Sequence, residues 1–284
     1  MNLQELIANP PLLHVHDDKP VTWSVANELL EYVDAHVDHG SRTLETGAGV
    51  STVLFALKGC DHVCAVFQQG DVDRIQDFCR QHKISLARVR FAIGSSEDVL
   101  PGLEPRELDL VLIDGGHAFP TPFIDWYYSA RQLKVGGRLL VDDIYVWTGY
   151  VLRRYLEAEP AWKLDADFAP RWVAFEKLEV TGWQGEYQQP FVLEQTFNLL
   201  YPDQLELIRE YVPEDQMAAL IAAKEQQASP IMDTEHVNED PGKKSASTTQ
   251  ESGVSPATIR NYLLYARKFA AFFMRRGNGN PKPP

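Results

Sequence analysis

Residues 42–52 read R-T-L-E-T-G-A-G-V-S-T, and this stretch constrains the fold more than any other part of the chain. A short apolar strand runs into an acid and two closely spaced glycines, and a helix start follows. Gly47 and Gly49 lack a Cβ, which allows a sharp bend and the close approach of a ligand, while Ser51 or Thr52 can cap the helix. Free N–H groups at a helix start favour a carboxylate or phosphate. The pattern therefore predicts a strand-turn-helix unit of the kind that holds a nucleotide cofactor.

The two glycines alone also fit a plain strand-to-helix turn, so the neighbouring residues decide between cofactors. A dinucleotide fingerprint has a third glycine and an acid about 20 residues later. Here Ser51 stands at the third position, and the next predicted strand ends in Phe67-Gln68-Gln69. These residues disfavour NAD. Glu45, placed before the first glycine, suits a cofactor with a positively charged amino-acid end, and S-adenosylmethionine (SAM) is such a cofactor.

Composition indicates one substantial core with additions. The chain has 284 residues, 44% of them apolar, and a net charge of −13. The acidic balance argues against a nucleic-acid binder and favours small-molecule chemistry.

Cys60, Cys64 and Cys79 lack paired C-x-x-C spacing, so we expect buried or inert thiols. The sequence shows no basic-then-apolar leader and no transmembrane segment, so we expect a cytoplasmic protein.

Strand and helix patterns alternate through residues 41–178. This alternation predicts an α/β fold: a Rossmann-like, mainly parallel sheet with helices on both faces, plus helical N- and C-terminal additions. The predicted strands lie near residues 42–46, 62–67, 88–93, 108–114 and 138–143. The predicted helices lie near 51–58, 71–82, 97–101 and 121–134, and Lys134-Val135-Gly136-Gly137 is expected to close the last of them. The aromatic-rich segments 162–168 and 171–178 are expected to pair antiparallel at the sheet edge.

Acidic residues follow two of the predicted strands. Asp114 ends the fourth strand, and Asp142 with Asp143 ends the fifth. If these strands are neighbours, the carboxylates converge at the ligand edge of the sheet and suit Mg²⁺ or another hard divalent cation. His117, in D-G-G-H, stands over the same edge and is a candidate general base. The alternative is a surface loop with exposed charges.

The remaining segments are predicted to be additions to this domain. Residues 1–40 are interpreted as a lid and a helix, with metal binding by His14 and His16 as a minor alternative. Residues 179–227 form a C-terminal extension, and residues 228–256 are interpreted as a disordered linker. Residues 257–284 are interpreted as a basic amphipathic helix and tail that docks on a membrane surface, on a partner or on its own domain.

These motifs together resemble class I SAM-dependent methyltransferases, and most closely the metal-dependent small-molecule O-methyltransferases of the catechol and macrolide-sugar types. The resemblance covers about residues 40–180. It implies SAM and Mg²⁺ as cofactors, a small-molecule hydroxyl as substrate and His117 as catalytic base. A homo-oligomer is also compatible with the sequence. The implied metal ligands are Asp114, Asp142 and Asp143. The implied cofactor-binding residues are Glu45, Gly47, Ala48, Gly49, Ser51, Thr52, Phe67, Gln68, Ser95, Ser96, Glu97 and Asp114.

One position departs from the family pattern. Phe67 stands where the family places the acid that binds the ribose hydroxyls. Gln68, Gln69 or Asp71 are the candidates to replace it. Two other classes stay open on the sequence: a non-catalytic SAM-fold scaffold protein, favoured by Phe67, and, more weakly, an NAD-linked oxidoreductase.

Overall fold

The computed structural model describes residues 1–180 and 189–200, together with positions 209, 212–214, 217, 218 and 221. These residues belong to one compact unit that extends to Gln226. The predicted linker and basic terminal helix lie outside the described residues, as does the helical run expected from Asp203. No helix among the described residues is long and apolar enough to span a membrane.

A seven-stranded sheet forms the centre of the fold. Its strands are β3 (Arg42–Thr46), β4 (Asp61–Val66), β5 (Val89–Ile93), β6 (Leu108–Ile113), β7 (Leu133–Val141), β8 (Trp162–Phe168) and β9 (Trp172–Lys177), and their order across the sheet is β5-β4-β3-β6-β7-β9-β8. The first five strands in this order run parallel, and β9 and β8 complete the sheet antiparallel. The sheet confirms the predicted Rossmann-like α/β fold.

Helices cover both faces of the sheet. In chain order they are α1 (Leu3–Ala8), α2 (Asn27–His36), α3 (Val50–Lys58), α4 (Gln69–Gln81), α5 (Ser96–Val99), α6 (Thr121–Ser129), α7 (Trp147–Ala158) and α8 (Pro190–Leu199). A small N-terminal hairpin of β1 (His14–His16) and β2 (Lys19–Val21) precedes α2, and a 3₁₀ turn at Leu100–Gly102 follows α5.

Strand alternation sends neighbouring side chains into two separate cores. Leu110 and Leu112 of β6 pack in the core that α1 to α4 cover, while Val111 and Ile113 pack in the core that contains residues of α6 and α7. The fully apolar run of this strand is typical of a parallel strand that is buried on both faces. Both faces of the central sheet are therefore closed, which leaves its carboxyl edge for a ligand.

The prediction for the end of α6 was wrong. The helix ends at Ser129, and Lys134 to Gly137 lie inside β7 instead of closing a helix. Leu133 pairs with Leu108 across a register irregularity, so the strand begins earlier than its apolar run. The hairpin β1–β2 and the short helix α1 were also not predicted as such, because three-residue strands carry too little periodicity to recognise.

Candidate active site

The strand order reverses between β3 and β6, which lie side by side although two strands separate them in sequence. In an open α/β sheet this switch point opens a crevice at the carboxyl ends of the strands, where ligands bind. Gly47 follows β3 and Asp114 follows β6, so both motifs found in the sequence meet at this crevice. The Asp114 N–H donates to the Thr46 carbonyl across 3.1 Å, which ties the two turns together.

Gly47 is required by the backbone beside it. Its φ is +89°, in the left-handed region that favours glycine, and an added Cβ would lie 2.2 Å from the Asp114 carbonyl oxygen. From the sequence, we expected a ligand to occupy this space. The neighbouring turn fills it instead, so Gly47 acts by letting the β3 and β6 turns pack together.

Glu45 lies beneath the turn and not at its surface. Its side chain is 1% exposed and its carboxylate accepts hydrogen bonds from Thr52 and, across 3.2 Å, His62. Thr52 also accepts the Gly49 N–H at 3.0 Å, so it caps α3 as predicted. Ser51 is buried beside it, at 3% exposure.

His62 continues this buried network on β4. Its Nδ1 lies 2.8 Å from the Thr43 hydroxyl, and its ring stacks on Phe55 at 4.3 Å. Among the described residues, Glu45, His62 and Cys64 form a group of three whose potential ligand atoms lie within 4.8 Å of one another. The Thr52 hydroxyl of α3 is hydrogen-bonded to Glu45, and the Thr43 hydroxyl is hydrogen-bonded to His62. We therefore interpret this group as one that holds α3 against the sheet. Burial, and then the Glu45 charge, raise the pKa of the Cys64 thiol; the thiols of Cys60, Cys64 and Cys79 are buried and free, as expected.

The three aspartates lie at the ends of adjacent strands. Ile113 of β6 pairs with Val141 of β7, which brings Asp114 next to Asp142, and Asp143 follows in a left-handed conformation with φ +52°. Asp142 is 5% exposed, and its Oδ1 has no hydrogen-bond partner within the described part of the chain. The aspartates do not form a group of three within 4.8 Å in the described residues, so at least one pair is spaced more widely.

Crowding of these carboxylates changes their pKa values. Burial, and next the charges of Asp142 and Asp143, raise the pKa of Asp114 well above its usual value. Burial, followed by the charge of Asp143, raises the pKa of Asp142 to about 6. For Asp143 burial acts upward, but His117 and Arg171 outweigh it and lower the pKa. A cation at this edge would offset the mutual repulsion of these carboxylates and favour their charged forms.

His117 stands over the same edge. Its Nε2 lies 3.0 Å from Asp143 Oδ2, and its side chain is 40% exposed. The Thr148 hydroxyl at the start of α7 donates to the His117 carbonyl across 2.6 Å, which fixes the loop after β6. Arg171 approaches Asp143 from the other side, at 3.7 Å.

The residues predicted for the ribose lie at the end of β4. Phe67 is 75% exposed, and Gln68 and Gln69 are exposed beside it. The Gln69 amide donates to Asp73 on its own helix across 2.7 Å. Asp71 is 8% exposed and binds His14 and Arg74, so its carboxylate is already engaged away from this position.

The residues predicted for the adenine base begin α5. The Ser95 hydroxyl donates to Asp98 across 2.7 Å, Ser96 is half-buried and Glu97 is exposed. Asp125 of α6, which the sequence analysis did not identify, lies beneath this segment. It is fully buried, accepts from the Thr46 hydroxyl at 2.7 Å, and sits 3.1 Å from the position of a Cβ on Gly115.

Asp125 therefore joins the ends of β3 and β6 and the start of α5. Burial raises its pKa to about 6, against the opposing effects of Ser96 and Thr46. An acid between Ile124 and Trp126 inside a short apolar helix was the sequence signal that could have marked it. His14, His62 and Arg171 also lie at or under the site without having been predicted there.

Comparison with known proteins gives a family match and similar solved structures. Residues 44–144 match the family model for a methyltransferase domain. The chain is similar to the cofactor-bound Rv0187 from MTB, at 17% identity over 56% of this chain and 84% of that chain, with a TM-score of 0.49. It is similar to the O-methyltransferase TomG from Streptomyces achromogenes in complex with SAM, at 14% identity, 62% and 86% coverage and a TM-score of 0.45.

A third similar structure is an rRNA methylase from Streptococcus thermophilus, at 15% identity, 54% and 96% coverage and a TM-score of 0.44. Comparison with curated proteins gives no match. The family match and the Rossmann-like sheet confirm the resemblance to class I SAM-dependent methyltransferases, with the match spanning residues 44–144. They support SAM-dependent methylation.

Proposed function

We propose that the protein is a methyltransferase that transfers the methyl group of SAM to a hydroxyl of a small molecule, with the help of Mg²⁺ or another hard divalent cation. The observation that most directly supports this proposal is the cluster at the carboxyl edge of β6 and β7, where His117 contacts Asp143 at 3.0 Å beside Asp114 and Asp142. A strand-end cluster of acids with an adjacent histidine supplies both a cation site and a base.

The donor set suits a hard cation. Its ligands are carboxylate oxygens, and the Asp142 Oδ1 is buried without a partner in the described residues. Burial, and then the neighbouring carboxylate charges, raise the pKa values of Asp114 and Asp142, and a bound cation would oppose both effects. Mg²⁺ keeps several waters and needs few protein ligands, so a spacing wider than 4.8 Å in one pair is compatible with it.

The residues at the switch point offer surfaces for the carboxylate, the ribose and the base of the cofactor. The N–H groups at the start of α3, after Ala48 and Gly49, favour its carboxylate. Phe67 and Gln68 would border the ribose, and Ser95, Ser96 and Glu97 would border the base. Glu45, Gly47, Ser51 and Thr52 support this surface from within the turn and α3, because they are buried or packed against Asp114.

The chemistry then divides between the cofactors and the protein. When bound, SAM supplies an electrophilic methyl group and a divalent cation lowers the pKa of a nearby hydroxyl. The protein aligns the acceptor oxygen with the methyl group, which is worth several kcal/mol of the barrier, on the order of 7–11 in well-oriented reactions. His117 Nε2 is held by Asp143, and its other ring nitrogen takes the proton of the hydroxyl.

The test combines binding and turnover. Calorimetric titration with SAM and with NAD separates this proposal from an oxidoreductase, for which NAD alone would bind. Methyl transfer from labelled SAM to a metabolite extract, with and without a chelator, then separates an enzyme from a scaffold protein. We expect SAM binding and chelator-sensitive labelling.

Asp142→Asn is the matched variant, because it removes one charge and keeps the side-chain volume. Mg²⁺ binding and metal-stimulated labelling should be lost while SAM affinity stays within about twofold. If neither a chelator nor Asp142→Asn changes the labelling, the enzyme belongs to the metal-independent group. In that case Arg171 and His117 are the groups that neutralise the aspartates.

A further inference from the structure

The glycine turn lacks an exposed acid from its own sequence motif. Glu45, which the motif would direct at the amino group of SAM, is 1% exposed and engaged by Thr52 and His62. The Glu45 carboxylate is therefore not available as an acceptor for the α-ammonium group of a cofactor at this turn.

His14 of the N-terminal hairpin lies beside this turn. A Cβ added to Gly49 would lie 3.2 Å from His14 Nε2, so this ring nitrogen is the side-chain atom nearest to the open side of the second glycine. The Gly49 φ is 179°, an extended conformation open to any residue, so backbone strain does not explain the glycine. The close approach of His14 does.

Two charged groups on α4 fix the orientation of this ring. His14 Nδ1 lies 3.5 Å from Asp71 Oδ1, and Arg74 forms an ion pair with the same carboxylate. Arg74 also donates to the Leu13 carbonyl across 2.7 Å, which anchors β1 against α4. On the hairpin side, the Trp23 ring lies 5.5 Å from the His14 ring.

This arrangement determines what each ring nitrogen can do. An Nδ1–H that faces a carboxylate leaves Nε2 as the lone-pair acceptor, directed at Gly49. Burial lowers the pKa of His14, against the raising effect of Asp71, so the ring is neutral at pH 7 and keeps its acceptor.

We propose that His14 binds the methionine end of SAM, with Nε2 accepting a hydrogen bond from the α-ammonium group and Asp71 holding the ring. This inference rests on the proposed function and assigns to the hairpin the role that the buried Glu45 does not fill. His14 is then a specificity residue, because it distinguishes SAM and its product from nucleosides that lack the amino-acid end.

The experiment compares ligands that differ in that end. S-adenosylhomocysteine (SAH) carries the α-ammonium group, whereas 5′-methylthioadenosine lacks the whole amino-acid end and shares the base and ribose. His14→Phe keeps a ring of similar size and removes the acceptor nitrogen. His16→Phe is the control, because His16 shares the hairpin and also contacts the Trp23 ring, at 5.4 Å.

We expect His14→Phe to raise the Kd of SAH about ten- to a hundredfold, the usual effect of losing a hydrogen bond to a charged group, and to leave the Kd of methylthioadenosine within about twofold. Unchanged methylthioadenosine binding also shows that the variant is folded. His16→Phe should leave both constants unchanged.

Three results overturn the assignment. In the first, SAH affinity survives His14→Phe; in the second, both ligands weaken equally, which shows that the ring supports the pocket in general. A wild-type protein that binds neither ligand contradicts the proposed function itself and the assignment with it. A wrong assignment of His14 shows only in the His14→Phe variant, whereas a wrong proposed function shows already in the wild-type protein. The two failures can therefore be distinguished.

Discussion

At the scale of single residues, the site depends on a histidine and a group of carboxylates whose roles follow from their neighbours. His117 Nε2 lies 3.0 Å from Asp143, and the His117 side chain is 40% exposed. Asp142 and Asp114 lie deeper and carry raised pKa values because burial disfavours their charge. His117 is the exposed group of the cluster, whereas burial and mutual repulsion favour the protonated forms of Asp114 and Asp142.

His117→Ala should lower the rate of methyl transfer about 10²–10⁴-fold if His117 is the general base, while SAM and Mg²⁺ still bind. Higher pH should restore part of the rate, because the acceptor hydroxyl can then lose its proton to solvent without a protein base. Rates from pH 6 to 10 and calorimetric affinities for both ligands check this. A full rate in the alanine variant would remove His117 from the chemistry.

Gln68→Ala should weaken SAM binding about three- to tenfold, the usual effect of losing one neutral hydrogen bond. The reason is that Phe67 stands at the ribose position and Gln68 is exposed next to it. Gln69→Ala is the control, since the Gln69 amide is already bonded to Asp73 at 2.7 Å. Equal affinities for wild type and both variants, by calorimetry, would show that this edge does not contact the ribose.

At the scale of elements, the turns after β3 and β6 support each other. Gly47 admits the Asp114 carbonyl, Thr46 accepts the Asp114 N–H, and Asp125 of α6 binds the Thr46 hydroxyl. A substitution in one turn is therefore transmitted to the other. Effects on the cofactor site and on stability are expected together.

Gly47→Ala should destabilise the fold by about 3 kcal/mol or more, because the added Cβ meets backbone at 2.2 Å in a left-handed conformation. Gly102→Ala is the matched control, since a Cβ there meets nothing within 4 Å. Urea unfolding measures both. A Gly47→Ala protein of wild-type stability that merely fails to bind SAM would return this glycine to a ligand-contact role.

Asp125→Asn should alter how stability depends on pH. The folded pKa of Asp125 is raised from 3.8 to about 6, so its contribution is fully present below about pH 4 and is lost as the pH rises through about 6. At about 1.4 kcal/mol for each pKa unit, this loss is roughly 3 kcal/mol.

The measurement is the free energy of unfolding at pH 4.5 and pH 8 for both proteins. Asp114 and Asp142 titrate in wild type and variant alike, so the difference between the proteins isolates Asp125. We expect the fall from low to high pH to be smaller in Asp125→Asn. Parallel curves would mean that Asp125 is not titrating in this range.

At the scale of the whole molecule, the described unit contains the complete sheet and the candidate site. The segments predicted as a linker and a basic helix, residues 228–284, lie outside the described residues. The candidate site is built from β1 and from β3 to β7 with the helices that follow them, all before residue 180. We propose that the terminal segment is not part of the catalytic unit.

Deletion of residues 228–284 should therefore leave SAM affinity and turnover within about twofold of the full chain. Calorimetry and the labelling assay on both proteins measure this. A truncated protein that folds and binds SAM without turnover would make the terminal segment part of the active site.

Local patterns in the sequence were sufficient for the chain order of strands β3 to β9. The parallel strands were predicted from short apolar runs that alternate with helical patterns, and β3 (Arg42–Thr46) was predicted with the same bounds. The end of α6 and the start of β7 were wrong, because Leu133 joins the sheet through pairing with Leu108, a contact that no local pattern records. The edge position of Asp114, Asp142 and Asp143 followed from their places after strands.

The sequence by itself determined the Rossmann-like α/β class and the edge of the sheet that carries the acids, because strand period and strand-end residues are local properties. Only the tertiary structure decided which side chains face that edge. Glu45 points into the core under α3, His14 reaches Gly49 from 35 residues away, and Asp125 joins three turns. These placements depend on how helices and the hairpin pack across the sheet, and packing between distant segments leaves no periodic signal in the chain.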